Sequence, residues 1–341
     1  MSQNSTHTIL VTGGLGYIGS HTVVALQEQD YEVIIIDNLS NTRLSVLNGI
    51  MAISGTKPHY YNIDLKKKSD INQVFKSHNI EGVIHFAAYK AVGESVEKPL
   101  DYYENNLTGL VNLLQVMLAK NCYNIIFSSS CTVYGQADKL PITETAPIKP
   151  AESPYGNTKQ IGEEILFDTT KSSQLKAIAL RYFNPIGAHK TALIGELPLG
   201  VPQNLIPFVT QTAAGIRKEL SVFGDDYPTE DGTAVRDYIH VVDLAIAHVK
   251  AVERLVENKQ EAAFEVFNVG TGRGSSVLEV IKAFEKVNKI KLNYKIVGRR
   301  AGDITAAYAD TTKANKVLGW QAKESLEEAL KSAWDWQLKQ E

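Results

Sequence analysis

The sequence predicts an α/β protein: a doubly wound parallel sheet with a smaller mixed α/β lobe attached. Three observations predict it. Short apolar runs alternate with longer segments of helical period, the runs are uniformly apolar instead of alternating, and the texture changes after residue 184. Uniformly apolar runs mark strands that helices cover on both faces, the condition of a parallel sheet. At 341 residues, 44% hydrophobic and 21% charged, the chain can fill a large core or two adjoining ones, which excludes disorder and small disulfide scaffolds.

Taken in order, strands are expected at 8–12, 32–37, 59–62, 82–87, 124–130 and 176–181, each rich in β-branched or aromatic residues and bounded by turn formers. Helices are expected at 18–29, 69–78, 100–121 and 154–172, where apolar residues recur with helical spacing. These elements place a nucleotide-binding lobe in residues 1–184. From 186 to 207 glycine and proline are frequent, and 227–233 is polar and turn-rich, so residues 185–341 read as a substrate-binding lobe. A buried strand at 264–269 is expected to return to the main sheet, so the lobes are not cleanly divided in sequence.

Charge excludes several partners. Thirty-five Lys and Arg against 38 Asp and Glu leave a net charge of −3, and the longest basic cluster is Lys66-Lys67-Lys68. Neither nucleic acid nor an anionic membrane is expected as a partner. Apolar runs such as 33–36 fall far short of the ~20 residues that span a bilayer. Two cysteines, Cys122 and Cys131, and a polar start without an apolar signal core point to a reduced, cytoplasmic protein.

The segment 12–19, Thr-Gly-Gly-Leu-Gly-Tyr-Ile-Gly, follows the first strand and opens the first helix. Gly13, Gly16 and Gly19 fit one dinucleotide-binding spacing, and Gly14, Gly16 and Gly19 fit the other. Glycines there let a pyrophosphate approach backbone amides at the positive end of a helix. A turn that merely needs positive φ would look the same, but Asp37 ends the second strand eighteen residues past Gly19. A carboxylate at that place binds ribose hydroxyls and repels a 2′-phosphate, so the pattern reads as a Rossmann-type site for NAD instead of NADP. Asp64 is placed either to reach the adenine amino group or to serve as a turn acid. Residues 86–90 end the fourth strand and point into the same crevice, with Lys90 their one charge.

Tyr155 and Lys159 open the helix 154–172 on one face. A phenol of pKa ~10 is a poor base near neutrality, but an ammonium and a positive nicotinamide ring beside it favour the phenolate. Ser128 to Ser130 end the fifth strand at the rim of the crevice, where Ser130 supplies a hydroxyl to relay a proton.

With those residues assembled, the chain resembles the UDP-glucose 4-epimerase family of extended short-chain dehydrogenases/reductases along nearly its full length. The resemblance rests on segments 12–20, 90–95, 128–135, 153–156, 181–185, 227–232 and 236–240 in this order. It implies tightly bound NAD, a UDP-sugar substrate and inversion of the sugar 4-hydroxyl through a transient 4-keto sugar. Tyr155 is then the catalytic base, Ser130 its assistant, and Lys159 the residue that binds the nicotinamide ribose and lowers the tyrosine pKa. Tyr17, Ile18, Asp37, Asn38, Asp64, Leu65, Phe86, Lys90, Asn105 and Phe183 match positions lining the NAD site. Asn184, Asn204, Leu205, Val222, Phe223, Arg236, Arg300 and Asp303 match those holding the UDP-sugar, and the arginines suit a diphosphate on physical grounds. A homodimer through helices 100–121 and 154–172 is implied by the same likeness.

Three departures stand out. Members restricted to UDP-glucose have a bulky tyrosine where this chain has Ala307, which predicts room for N-acetylated UDP-sugars. Ala301 replaces an acid, and Cys131, following Ser130, reads as buried packing. Sugar-nucleotide 4,6-dehydratases and decarboxylases are the nearest rivals. Dehydratases need an Asp-Glu pair just after the serine or threonine, where this chain has Cys131 and Thr132. A non-catalytic NAD sensor on the same fold is the remaining alternative, disfavoured because Ser130, Tyr155 and Lys159 are all present.

Overall fold

Alternate side chains of a strand leave a sheet on opposite faces, and this sequence supplies apolar groups to both. In β1 (Thr8–Thr12), Ile9 and Val11 enter one core and Leu10 the other. In β2 (Glu32–Ile36), Val33 and Ile35 join the first core, Ile34 and Ile36 the second. A computed structural model describes residues 7–300 and 303–340. Ala301 and the start of the chain up to residue 6 lie outside the described residues.

The main sheet is parallel throughout. β3 (His59–Tyr61), β4 (Gly82–His85), β5 (Asn124–Ser130) and β6 (Lys176–Tyr182) complete it together with the strand Phe264–Val269. Across the sheet the order is Phe264–Val269, β6, β5, β4, β1, β2, β3. The winding reverses between β1 and β4, so the crevice opens beyond their carboxyl ends, at Thr12 and His85, which pair in register. The helices Tyr17–Gln27 and Val241–Val256 fill the first core with Val23, Leu26, Leu244 and Val252. Lys68–Ser77, Gly109–Ala119 and Pro154–Ser172 fill the second with Ile71, Leu113 and Leu166.

The structure departs from the sequence reading in three places. β3 is not uniformly apolar: His59 is exposed and both tyrosines half-buried, because it is the edge strand and carries less cover. The helix expected over 100–121 is broken into Pro99–Tyr103, a π-helical turn Glu104–Thr108 and Gly109–Ala119. That turn carries Asn106 inward, where its Oδ1 accepts from the Tyr89 amide at 2.8 Å and its Nδ2 donates to the Tyr89 carbonyl and Thr158 Oγ1, both at 3.1 Å. The widened turn thereby clamps the loop after β4, a common use of π turns near functional sites. A helix Val46–Ser54 also stands between β2 and β3, where none is expected.

Residues 241–269 return to the large sheet as a helix and a strand, between two stretches of the second lobe. That lobe packs the helices Leu205–Ala213, Val277–Asn288 and Leu326–Leu338 around Val209, Leu220, Ile281, Phe284 and Leu330. Short pairings tie it to the crevice: Asn184–Ile186 runs beside Tyr238–His240, and Ala306–Ala307 beside Val235–Arg236. No helix among the described residues is long and apolar enough to cross a membrane.

Candidate active site

The glycine turn leaves no room for side chains. Gly13 has φ +70°, and a Cβ there would come within 2.8 Å of the Ala87 nitrogen; one on Gly19 would lie 2.2 Å from the Gly13 carbonyl oxygen. Gly16 caps the helix Tyr17–Gln27 without a side-chain bond, so its first amides face the crevice unblocked. Ile18 lies in the first turn, and the Tyr17 hydroxyl donates to the Gly187 carbonyl at 2.6 Å. Asp37 stands directly behind the turn, its carboxylate accepting from the Leu15 amide at 3.1 Å and the Leu39 amide at 2.9 Å. Burial raises its pKa and those two amides pull it back.

Other sequence-predicted cofactor positions rim the same crevice. Phe86, past the end of β4, packs on His248 with ring centres 4.6 Å apart. Asn105 lies on the π turn and donates to Asn106 at 3.0 Å. Leu65 is buried where the helix Gly109–Ala119 starts. Asn38 and Asp64 each close a local turn, accepting from Ser40 and Lys66 amides at 3.1 Å and 2.9 Å. For Asp64 this is the turn-acid role.

The fifth strand delivers Ser130 to the helix Pro154–Ser172. Ser130 accepts from the Thr132 amide at 3.2 Å, which starts a tight turn over Cys131–Tyr134. Burial pushes Tyr155 up to about 12, and the Ser130 hydroxyl pulls the other way. Lys159, one helical turn on, donates to the Ser128 carbonyl at 2.6 Å and stands 5.8 Å from the Tyr155 ring centre. Burial lowers it to about 8, with the Glu163 charge opposing. Burial is therefore the dominant influence at the tyrosine, with no pull from Lys159 resolved, and the phenolate needs the positive charge of a bound nicotinamide. Cys131 is also pushed up, to about 11, mainly by burial, as a packing thiol would be. The Thr132 hydroxyl is buried and has no hydrogen-bond partner among the described residues, which leaves it free for a ligand.

Across the cleft Arg236 and Arg300 converge on one carboxylate, Asp303, at 3.0 and 3.1 Å. The Phe223 ring lies 5.9 Å from the Arg300 guanidinium. Phe183 and Asn184 continue from the end of β6; Phe183 is buried against Val133, Tyr134 and Ala307. Leu205 starts a helix that Asn204 precedes. The side chain of Val222 is fully buried in the core of the second lobe, which leaves its backbone to meet a ligand. Its neighbours alternate, and Phe223 takes the exposed side.

Ala307 is buried beside the serine turn, in one cluster with Val133, Tyr134 and Phe183. Tyr308 turns toward Gly274 on the opposite side of the strand, and Lys90 is engaged by Glu196 at 3.1 Å. Glu196 also accepts from Asn204 Nδ2 at 2.7 Å. Sequence reasoning missed Glu196 and Asn106: each is a single polar residue with no motif around it.

A parallel sheet with a glycine turn at its switch point, an acid closing β2, and serine, tyrosine and lysine together at the end of β5 define an NAD(P)-type dehydrogenase/reductase fold with a second, arginine-bearing lobe. Residues 10–333 match the family model described as GDP-mannose 4,6 dehydratase. A UDP-glucose 4-epimerase of Bacillus subtilis is 51% identical over 330 residues, 96% of each chain. The crystal structure of the Stenotrophomonas maltophila enzyme of that name, with bound NAD and formylated UDP-arabinopyranose, has a TM-score of 0.95 at 45% identity over 98% of both chains. That of Bifidobacterium longum, with NAD+ and UDP, has a TM-score of 0.94 at 47% identity over 97% of this chain and 98% of that one. The chain belongs to the UDP-glucose 4-epimerase family.

Lys159 yields a prediction about stability. Its folded pKa of about 8 lies below its ordinary 10.5, so the folded chain binds this proton less firmly than the unfolded one. Below pH 8 the ammonium therefore costs stability, about 3 kcal/mol at ~1.4 kcal/mol per pH unit. That cost fades as pH rises from 8 to 10.5. The Ser128 carbonyl bond offsets part of it. Lys159→Met, stripped of dinucleotide at pH 7, is expected to melt no lower than the equally stripped parent while losing most of its turnover; a clearly lower Tm contradicts this.

Proposed function

We propose that this protein inverts the 4-hydroxyl of UDP-hexoses, interconverting UDP-glucose and UDP-galactose with tightly held NAD. The observation that carries the proposal is Tyr155 with Lys159 one turn away, 5.8 Å from its ring centre, and the Ser130 hydroxyl acting on the phenol, in a chain that matches UDP-glucose 4-epimerases over its length. The cofactor fits the cleft on the chain's own terms. Gly13 and Gly19 let the turn close against its own backbone where a Cβ would clash, Gly16 leaves the helix start without a side-chain cap, and Asp37 offers an acceptor to ribose hydroxyls while opposing a 2′-phosphate. Gly13, Gly16, Tyr17, Ile18, Gly19, Asp37 and Asn38 would hold one end of NAD, and Phe86, Lys90, Ser130, Tyr155, Lys159 and Phe183 the other. When bound, NAD supplies the acceptor and the returning donor of a hydride.

The chain's residues then have separate tasks. Tyr155 takes the proton of the sugar 4-hydroxyl, Ser130 shares that hydrogen bond, and Lys159 fixes the ribose while keeping positive charge beside the phenol. Arg236 and Arg300 hold the diphosphate by displacing Asp303 from their guanidinium groups, with Asn184, Asn204, Leu205 and Phe223 around the rest of the nucleotide sugar. Anchored there, the 4-keto sugar turns about its bond to the diphosphate and presents its other face. Tyr155 returns the proton to the new alcohol.

One experiment tests this reading. Denaturing the purified protein is expected to release NAD, and the native protein is expected to interconvert UDP-glucose and UDP-galactose without added cofactor. Tyr155→Phe is expected to lower turnover by about 10² or more, the usual cost of losing a general base, with UDP affinity unchanged. Release of no dinucleotide, or a Tyr155→Phe variant as fast as the parent, contradicts the assignment.

Ala307 extends the substrate range. The sugar must sweep past this residue as it turns, and a methyl side chain leaves space for a 2-acetamido group. Interconversion of UDP-N-acetylglucosamine and UDP-N-acetylgalactosamine is therefore expected too. Ala307→Tyr is expected to abolish it and spare UDP-galactose, and equal loss on both pairs would reduce Ala307 to a packing residue.

A homodimer in a reduced, cytoplasmic setting completes the proposal. Leu100, Val111 and Phe167, on the two helical segments expected to pair, expose large apolar side chains, and both cysteines are free thiols. Sedimentation is expected to give twice the 37.5 kDa chain mass, and Leu100→Glu with Phe167→Glu to shift it toward the monomer.

A further inference from the structure

Glu196 brings a carboxylate into a cleft whose expected ligands are all anions. Its side chain is only 13% exposed, and one oxygen, Oε1, receives both Lys90 Nζ at 3.1 Å and Asn204 Nδ2 at 2.7 Å. Those donors come from opposite sides: Lys90 follows β4 on the nucleotide-binding lobe, and Asn204 caps the helix Leu205–Ala213 of the second lobe. The backbone is equally fixed. The Glu196 carbonyl accepts from Trp336 Nε1 at 2.9 Å, and Gly195 lies so close under that indole that a Cβ would approach it to 2.5 Å. Beneath Lys90 lies the ring of Tyr17, 5.9 Å away, itself anchored to Gly187 at 2.6 Å.

Stability does not explain this arrangement. Lys90 is half exposed, and such pairs contribute little to folding, whereas a carboxylate repels phosphates that bind beside it. What the geometry does provide is one acceptor shared by two donors from two sites. A ligand that takes the Asn204 amide leaves Oε1 to Lys90 alone, which tightens the ammonium over Tyr17 at the mouth of the glycine turn.

We infer that Glu196 is a positioning residue that couples the two sites, so that a UDP-sugar on the second lobe strengthens the hold on NAD. The inference rests on the NAD and UDP-sugar reading above. Linkage requires the reverse as well: NAD must strengthen the hold on UDP by the same factor.

The test follows NAD loss from the purified holoenzyme with and without saturating UDP, in the parent, Glu196→Ala and Glu196→Gln. In the parent, UDP is expected to slow NAD loss about tenfold, inside the usual range of coupling between sites. In Glu196→Ala the slowing is expected to fall below about twofold at an unchanged Tm, because both donors lose their shared acceptor. Glu196→Gln keeps an acceptor oxygen without the charge and is expected to fall between. A Glu196→Ala variant that keeps the full effect of UDP overturns the inference. So does a Gln variant that loses the effect as completely as Ala with a lowered Tm, the mark of a merely structural residue. A parent that holds NAD indifferently to UDP overturns the coupling alone; a parent holding no NAD overturns the functional reading with it.

Discussion

Glu163 and Arg181 form a two-pronged ion pair inside the protein, Nε to Oε1 at 2.9 Å and Nη2 to Oε2 at 2.5 Å, and the catalytic end of β5 is assembled around it. Tyr155, Lys159 and Glu163 recur every four residues on one face of their helix, so whatever fixes Glu163 fixes the register of the other two. Ser129 donates to Glu163 at 2.5 Å, which ties the last residues of β5 to that face, while Arg181 stacks on the Tyr134 ring in the turn that Ser130 begins. Tyr134 donates in turn to Asn268 at 2.6 Å, at the end of the returning strand. Breaking such a buried pair costs about 3–5 kcal/mol because an unpaired charge stays behind. The pair therefore holds helix, strand and turn in one relative position at the point where a proton must move.

That rigidity makes the poor basicity of Tyr155 intelligible. A phenol pushed up to about 12 is inert at neutral pH, and Lys159 is hydrogen-bonded to a backbone carbonyl instead of to the phenol. The phenol is set in place but becomes a base only with positive charge beside it. In a low-dielectric crevice a fixed cation acts on the phenol more strongly than it would in water. Burial thus serves twice, raising the pKa of the phenol and magnifying the charge that activates it. Across the cleft, Asp303 holds together two guanidinium groups that would otherwise repel.

Legibility in the sequence followed the length scale of each constraint. β1, β5, the helix Pro154–Ser172 and the returning strand Phe264–Val269 are readable to the residue, because period and end signals are local. The glycine turn, Asp37 and the Ser130, Tyr155, Lys159 group were readable because their chemistry demands fixed spacing. The π turn was not: residues 100–121 have good helical period, and only the pull of Tyr89 and Thr158 on Asn106 widens the coil. Val222 looked like a ligand position by its place in a matching segment, but strand alternation sends it into the core and Phe223 outward. Glu196 gave no signal at all, since its partners Lys90 and Asn204 meet it only through the fold.

The family model that matches this chain carries the description of a dehydratase, and the site explains why that likeness stops at the fold. Loss of water from the sugar needs a proton donor for the leaving hydroxyl as well as a base, both placed just past the serine. Thr132 presents a buried alcohol there, and the Cys131 thiol is pushed up to about 11, so neither can ionise and reprotonate near neutrality. Asp237, the buried acid that acts on Cys131, is fully engaged by the amides of Thr271, Gly272 and Ala309. Tyr155 is raised by burial as well, but unlike Cys131 it has Lys159 one helical turn away. Neither Cys131 nor Thr132 is a carboxylate, so the acid and base pair of an elimination is missing just past the serine, in keeping with the chain's membership of the UDP-glucose 4-epimerase family.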